Sequence, residues 1–369
     1  MTQHRMFDLS RVKVLPLARR KNFCEAADVI VDPESEPAPL NDVSASHLDE
    51  AARCIIAAKE RNASLMLTYG AHLLRNGAVR IVDQLMEHGW ITHLATNGAG
   101  SIHDWEFAWQ GATSESVKMN VADGTFGTWD ETATNIHLAI MTGVLDGLGY
   151  GQSMGRYIAN DGVDLPSARE LEQKIAASPA DPLTSARADL LQTLRKFEMP
   201  PGHRHIEHRW KQASMLTCAW RHGVPATVHP GVGYDIIANH PIFCGAAIGR
   251  AAEIDFKLFA GTVENLDDGV VLNVGSAIMG PQVFEKTLSC VNNLRRQSGQ
   301  SVISGHNIFV VDIQDGGNWD WTQGEPPKDH PAYYLRFCKS YSRMGGAMHY
   351  VQCDNVQFVH HLWKRLQRC

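Results

Sequence analysis

The strongest constraint on this chain is a recurring punctuation. Short apolar runs end in clusters of glycine, asparagine, aspartate or serine, and helical patterns follow. The run at residues 64–68 (SLMLT) ends in Tyr69-Gly70-Ala71-His72, and an amphipathic pattern over 78–88 closes at Gly89. The run at 90–96 (WITHLAT) leads into Asn97-Gly98-Ala99-Gly100-Ser101, and a helix is expected over 102–110 with Ser101 as its cap. Two successive strand–turn–helix units predict a parallel sheet, because parallel neighbours need a crossover. Three more buried-strand runs follow at 224–228, 269–274 and 306–313. The expected architecture is α/β: a Rossmann-like parallel sheet flanked by helices, with a mainly helical insertion at about 115–215. Residues 1–60 read as an N-terminal arm and helix, the helix capped at Ser46, and 61–369 as a single domain.

Composition narrows the partners. Hydrophobic residues are 44% and charged residues 20% of 369, which suits a folded chain. A net charge of −6 gives no basic field for nucleic acid. No window approaches the ~18 apolar residues of a membrane span. The first twenty residues lack the apolar core of a secretory signal. None of the eight cysteines is in C-x-x-C spacing. The expectation is a cytoplasmic protein with reduced thiols and no metal.

Ligands of an open parallel sheet sit beyond the carboxyl ends of its strands. The residues there are Gly70, Ala71 and His72; Asn97, Gly98, Gly100 and Ser101; His229 and Asp235; Gly275 and Ser276; Asp312 and Asp315. Glycines admit a close phosphate, a helix start attracts its charge, and acids bind ribose hydroxyls or a cation. The G-x-G-S at 98–101 is either a phosphate contact or a tight turn without a ligand. His103 and Asp104 either face that ligand or supply an acid favoured by the helix dipole. Thr113 and Ser114 lie in a polar turn that either covers the ligand or stops the helix. His203, His205 and His208 (HRHIEH) lack a zinc motif and read as a solvated turn. Near the C-terminus, Asp312, Asp315, Asp320 and Glu325 lie among Trp319, Trp321, Tyr333, Tyr334, Phe337 and Tyr341, a mixture that can hold a cation. Lys339 and Cys338 are the nucleophile candidates there.

The run THLATNGAGSIHDWE resembles the glycine loop and acid-bearing helix of the deoxyhypusine synthase family. It is also similar to the NAD-binding C-terminal domains of LOR/SDH-type enzymes. GVPATVHPGVGYD, VVLNVGSA and NIFVVDIQD follow in the family's order, so the resemblance spans about residues 62–340. It implies a fold that binds NAD, often between the subunits of a homo-oligomer, here a dimer or tetramer. By match to its motifs, Asn97, Gly98, Gly100, Ser101 and Asp104 would bind the cofactor, joined by Gly70, Ala71, His72, Gly275 and Ser276 at strand ends and by Thr113 and Ser114 in the polar turn. His229, Asp235, Asp312 and Asp315 would hold a small cationic amine. Lys339 follows Pro331 by eight residues with Phe337 two before it, a spacing similar to that of the family's catalytic lysine. Lys339 and Asp235 are therefore the expected catalytic pair, for hydride transfer with imine formation on the lysine. Arg336-Phe337-Cys338-Lys339 stands where the family has S-W-G-K, and the family's paired histidines are missing from GSAIMGPQVFEK. The alternatives are a non-catalytic dinucleotide sensor or a sugar-phosphate enzyme on a similar sheet.

Overall fold

The computed structural model describes residues 4–369. Six strands form the central sheet: β1 (Leu65–Tyr69), β2 (His93–Asn97), β3 (Ala226–His229), β4 (Val270–Val274), β5 (Asn307–Asp312) and β6 (Ala347–Gln352). All neighbours are parallel, in the order β6-β5-β4-β1-β2-β3. The order reverses between β1 and β4, as in a doubly wound Rossmann-like sheet. Five strands match the apolar runs to within a few residues. The sixth, β6, was not expected. Its exposed ends and its edge position, bonded to β5 alone, blur the alternation.

Period-two alternation decides the layers. Leu65, Leu67, Tyr69, Leu272, Phe309 and Val311 face one core. Met66, Val271, Ile308 and Val310 face the other. The first core packs under α1 (Asp42–Glu60), α2 (Ala71–Arg75), α3 (Val79–Glu87) and α4 (Gly98–Gln110). Between α4 and β3 the chain forms α5 (Asp130–Gly143), α6 (Tyr150–Ala159), α7 (Ala168–Ala177) and α8 (Thr184–Lys196), and α9 (Met215–His222) leads to β3. The second core is closed by α10 (Gly245–Val263), α11 (Met279–Gln297) and α12 (Arg336–Tyr341). The last helix, α13 (Asn355–Leu366), packs beside α1 on the first face. Each large side chain buried here, such as Phe259 or Phe309, contributes roughly 1.5–3 kcal/mol.

Capping sets several boundaries. α1 begins at Asp42, not after Ser46, because Asn41 Oδ1 accepts the Ser44 N–H at 2.8 Å. α7 has the expected capping box between Ser167 and Glu170. α4 starts at Gly98, four residues earlier than the sequence suggests, because Asn97 Oδ1 accepts the Gly100 N–H at 2.9 Å. The G-x-G-S segment is thus the first helical turn and not a loop. The HRHIEH segment is not one surface turn. Gly202–His205 pairs with Gly162–Leu165, while His208 is buried against Trp105 and Tyr157.

The arm packs into the body. Leu17 and Ala26 are fully buried, and Cys24–Glu25 forms an antiparallel pair with Ala112–Thr113. Arg20 makes a two-pronged ion pair with buried Glu106, each contact 2.7 Å. Such a pair contributes little beyond two apolar residues, but losing one partner strands a buried charge.

Candidate functional site

The switch point between β1 and β4 is closed by backbone. A Cβ on Gly70 would stand 2.0 Å from the Gly275 carbonyl oxygen, so only glycine fits. Gly275 has a φ of +65°, and a side chain there would also strike the Asn355 amide. Asn355 Oδ1 is buried at this junction without a partner. Ser276 is buried, with its hydroxyl oxygen accepting the Gly280 N–H at the start of α11. Ala71 and His72 open α2, with His72 exposed.

Beyond β2, several expected ligand contacts are engaged by the fold. The Ser101 hydroxyl is buried and bonds the Gly98 carbonyl and the Tyr150 hydroxyl. Asp104 is completely buried in the second turn of α4. It accepts the Ser214 hydroxyl and the Met215 N–H, capping α9. Burial pushes its carboxyl up to about 7 despite those bonds. Thr113 is buried and donates its hydroxyl to Glu106. Ser114 has a φ of +70° and a buried hydroxyl without a partner.

The loop after β3 brings Asp235 onto the start of α4. A Cβ on Gly98 would lie 1.9 Å from Asp235 Oδ2, which also accepts the Gly231 N–H at 2.7 Å. Burial pushes this carboxyl up to about 6. The chain's own carboxylate therefore stands beside the α4 N-terminus, and a phosphate at Gly98 would meet like charge. His229 is 9% exposed, and burial holds it down at about 4. Its Nε2 bonds Thr227 Oγ1 at 3.1 Å, and Thr227 in turn bonds His93 Nε2 at 3.1 Å. This polar ladder was not anticipated, although His93 and Thr227 inside apolar runs were a visible signal. Asp255 was also missed. It is wholly buried, accepts the Gly151 and Val228 N–H groups at 3.0 and 2.8 Å, and is pushed up to about 7 by burial.

Beyond β5 the acids stand in the open. Asp312 is half-buried and its Oδ1 accepts the Gln314 N–H, and exposed Asp315 accepts the Gly317 N–H. Asp312 acts on Cys338 of α12, whose thiol is raised first by burial and then by that carboxylate. Lys339, the next residue, places its ammonium 3.6 Å from the centre of the Tyr333 ring. Asp315 and Asp320 line a cleft of about 480 Å³ with Trp319, Trp321, His47 and His349. The cleft runs between α1, β6 and the loop after β5, and the buried Nε2 of His349 has no partner there. Thus Asp312 lies near Cys338 and Lys339 sits over Tyr333, whereas Asp235 belongs to the β3 loop and the α4 start.

No model of a known family matches the sequence, and no curated protein matches it at a significant level. Solved structures of similar shape do exist. Unliganded AgrE matches at 13% identity over 90% of this chain with a TM-score of 0.46. A protein assigned to the LOR/SDH group, from Methanococcus maripaludis S2, matches at 14% identity over 92% of this chain and 74% of its own, with a TM-score of 0.40. A protein assigned as a deoxyhypusine synthase, from Entamoeba histolytica, matches at 8% identity over 89% of each chain, with a TM-score of 0.39. AgrE has been solved in a ternary complex with ornithine and NAD+. The chain spans 34% of AgrE, about a third of its length. No helix among the described residues is long and apolar enough to cross a membrane.

Proposed function

We propose that this protein is an NAD-binding enzyme that transfers hydride to or from an amine or amino-acid-like substrate. The observation that supports the reading is the strand order, which reverses between β1 and β4, the position of the ligand crevice in doubly wound sheets. Gly70 and Gly275 meet backbone to backbone at this position, so a ligand would lie above their contact. NAD, when bound, supplies the hydride acceptor. Gly70, Ala71, His72, Gly275 and Ser276 border the crevice from its two sides. In this reading Asp315, an exposed carboxylate lining the cleft with Trp319 and Trp321, holds the substrate cation together with half-buried Asp312 at the start of the same loop. Lys339 is the candidate amine for an imine step, for which it must leave the Tyr333 ring. A homo-oligomer belongs to this reading. Exposed Val232, Tyr234, Ile278 and Ile313, all just beyond β3, β4 and β5, are apolar surface suited to a second copy. The eight free thiols fit a reducing compartment.

The test is thermal stability with NAD, NADP, FAD and sugar phosphates in turn. Ligand at 100 times its dissociation constant adds about 2.7 kcal/mol. Stabilisation by NAD supports the reading, and no shift at millimolar NAD removes it. A second reading, a dinucleotide-binding module without catalysis, draws on Asp235 and Lys339 both being engaged within the chain. Lys339→Ala separates the two, because a catalytic lysine abolishes turnover while NAD still binds.

A further inference from the structure

A second ordered feature lies where the arm meets α4. Arg20 grips both oxygens of Glu106, so this carboxylate is ionised and can only accept. It receives the hydroxyl hydrogens of Thr113 and Thr132. With its one hydrogen spent, Thr113 Oγ1 must accept from His103 Nδ1, 2.6 Å away. A neutral imidazole has one N–H, so His103 Nε2 carries a lone pair. Burial holds His103 at about 4, which keeps the ring neutral at pH 7. Among the described residues Nε2 has no hydrogen-bond partner, yet it is not sealed from solvent.

The surroundings of this ring favour one kind of ligand. α2 packs on α4 and brings Arg75 and His72 close enough to act on His103. Among the described residues, no carboxylate lies within ion-pair distance of Arg75. Cys24 pairs with Thr113 and donates its thiol to the Arg75 carbonyl at 3.3 Å, tying this corner together. Ser114 follows directly, with its left-handed backbone and unpartnered buried hydroxyl. Strain and an orphaned donor at one residue are features that functional sites retain.

We propose that His103 contacts ligand, with Nε2 accepting a hydrogen bond from a sugar hydroxyl while Arg75 takes an adjacent phosphate. Thr113 and Glu106 are positioning residues that fix the ring's tautomer. Arg75 repels an ammonium group, and a carbonyl or carboxylate oxygen has no hydrogen to give Nε2. A hydroxyl on an anionic ligand satisfies both groups. This assignment deepens the dinucleotide reading and rests on it.

Nitrogen-15 NMR of the imidazoles reads the tautomer directly. His103 is expected as Nδ1–H with bare Nε2 at pH 7, and Thr113→Val should give a tautomer mixture. Calorimetric titration with NAD+ and ADP-ribose should show about tenfold weaker binding for His103→Phe and Arg75→Gln, with Arg75→Gln keeping the wild-type melting temperature. Thr113→Val should lose a few-fold. If His103→Phe fails to fold, Arg75→Gln and Thr113→Val carry the test. An Nε2–H tautomer in the wild type, or variants that bind both probes like the wild type, overturns the assignment. A wild type that binds neither nucleotide defeats the dinucleotide reading instead. His103 then stands or falls on ribose 5-phosphate, whose binding must be present in the wild type and weaker in the same variants.

Discussion

Polar side chains beyond β2 and β3 are spent on the fold, whereas those beyond β5 stand in water. Asp104 caps α9, Ser101 bonds Tyr150, and Asp235 rests on Gly98. Asp312 and Asp315 bond only the backbone of their own loop. The difference teaches that a strand-end residue of suitable chemistry is not thereby a ligand contact. Where long crossovers pack over the carboxyl edge, the same residue types are drawn inward as caps and ties. Where the chain leaves β5 for an open loop, they stay accessible.

The contrast can be broken by mutation. Arg20→Ala strands the Glu106 carboxylate in the first core and should cost about 3–5 kcal/mol in urea denaturation. Asp104→Ala leaves the Met215 N–H and the Ser214 hydroxyl without their acceptor and should cost about 1–3 kcal/mol. A loss as small as that of a surface change would mean that Asp104 is free for a ligand after all.

Acid tests the same region. Burial holds His93 at about 3 and His103, His137, His208 and His229 at about 4. The unfolded chain protonates these rings near 6.5, so their stabilisation is lost as the pH falls below that value. Asp104, Asp235 and Asp255 are raised and act in the opposite sense, since the folded chain takes up their protons first. Five rings outweigh three carboxyls between pH 6.5 and 5. The melting temperature should therefore fall across that interval, and a rise would show that the rings are not buried neutral. Asp315→Ala should give the smallest stability change, within about 0.5 kcal/mol. If Asp315 holds a cation, the same variant should weaken binding of ornithine or a polyamine about tenfold, read by calorimetry.

The sheet was legible because β1 to β5 are short apolar runs with sharp ends, and both faces of each are buried. β6 hid because it lies at the edge, is exposed at both ends and carries His349 in its middle. Gly70 and Gly275 stood out in the sequence, but their mutual contact did not, since it joins residues two hundred positions apart. The same holds for Arg20 with Glu106 and for Asp255 with α6. Such pairs leave no local spacing to read. Asp235 was marked as an acid after a strand, but only the fold showed that it faces Gly98. The open acids around Trp319 were readable because their setting is a contiguous loop.

The ion pair between Arg20 and Glu106 has a consequence for how the protein is made. Residues 4–31 act as a tether carrying Arg20, the counter-ion for a carboxylate some eighty positions later. A chain begun at residue 32 would expose Glu106, Thr113 and the flank of α4 to solvent while keeping every strand of the sheet. Such a shortened protein should be sticky and prone to degradation.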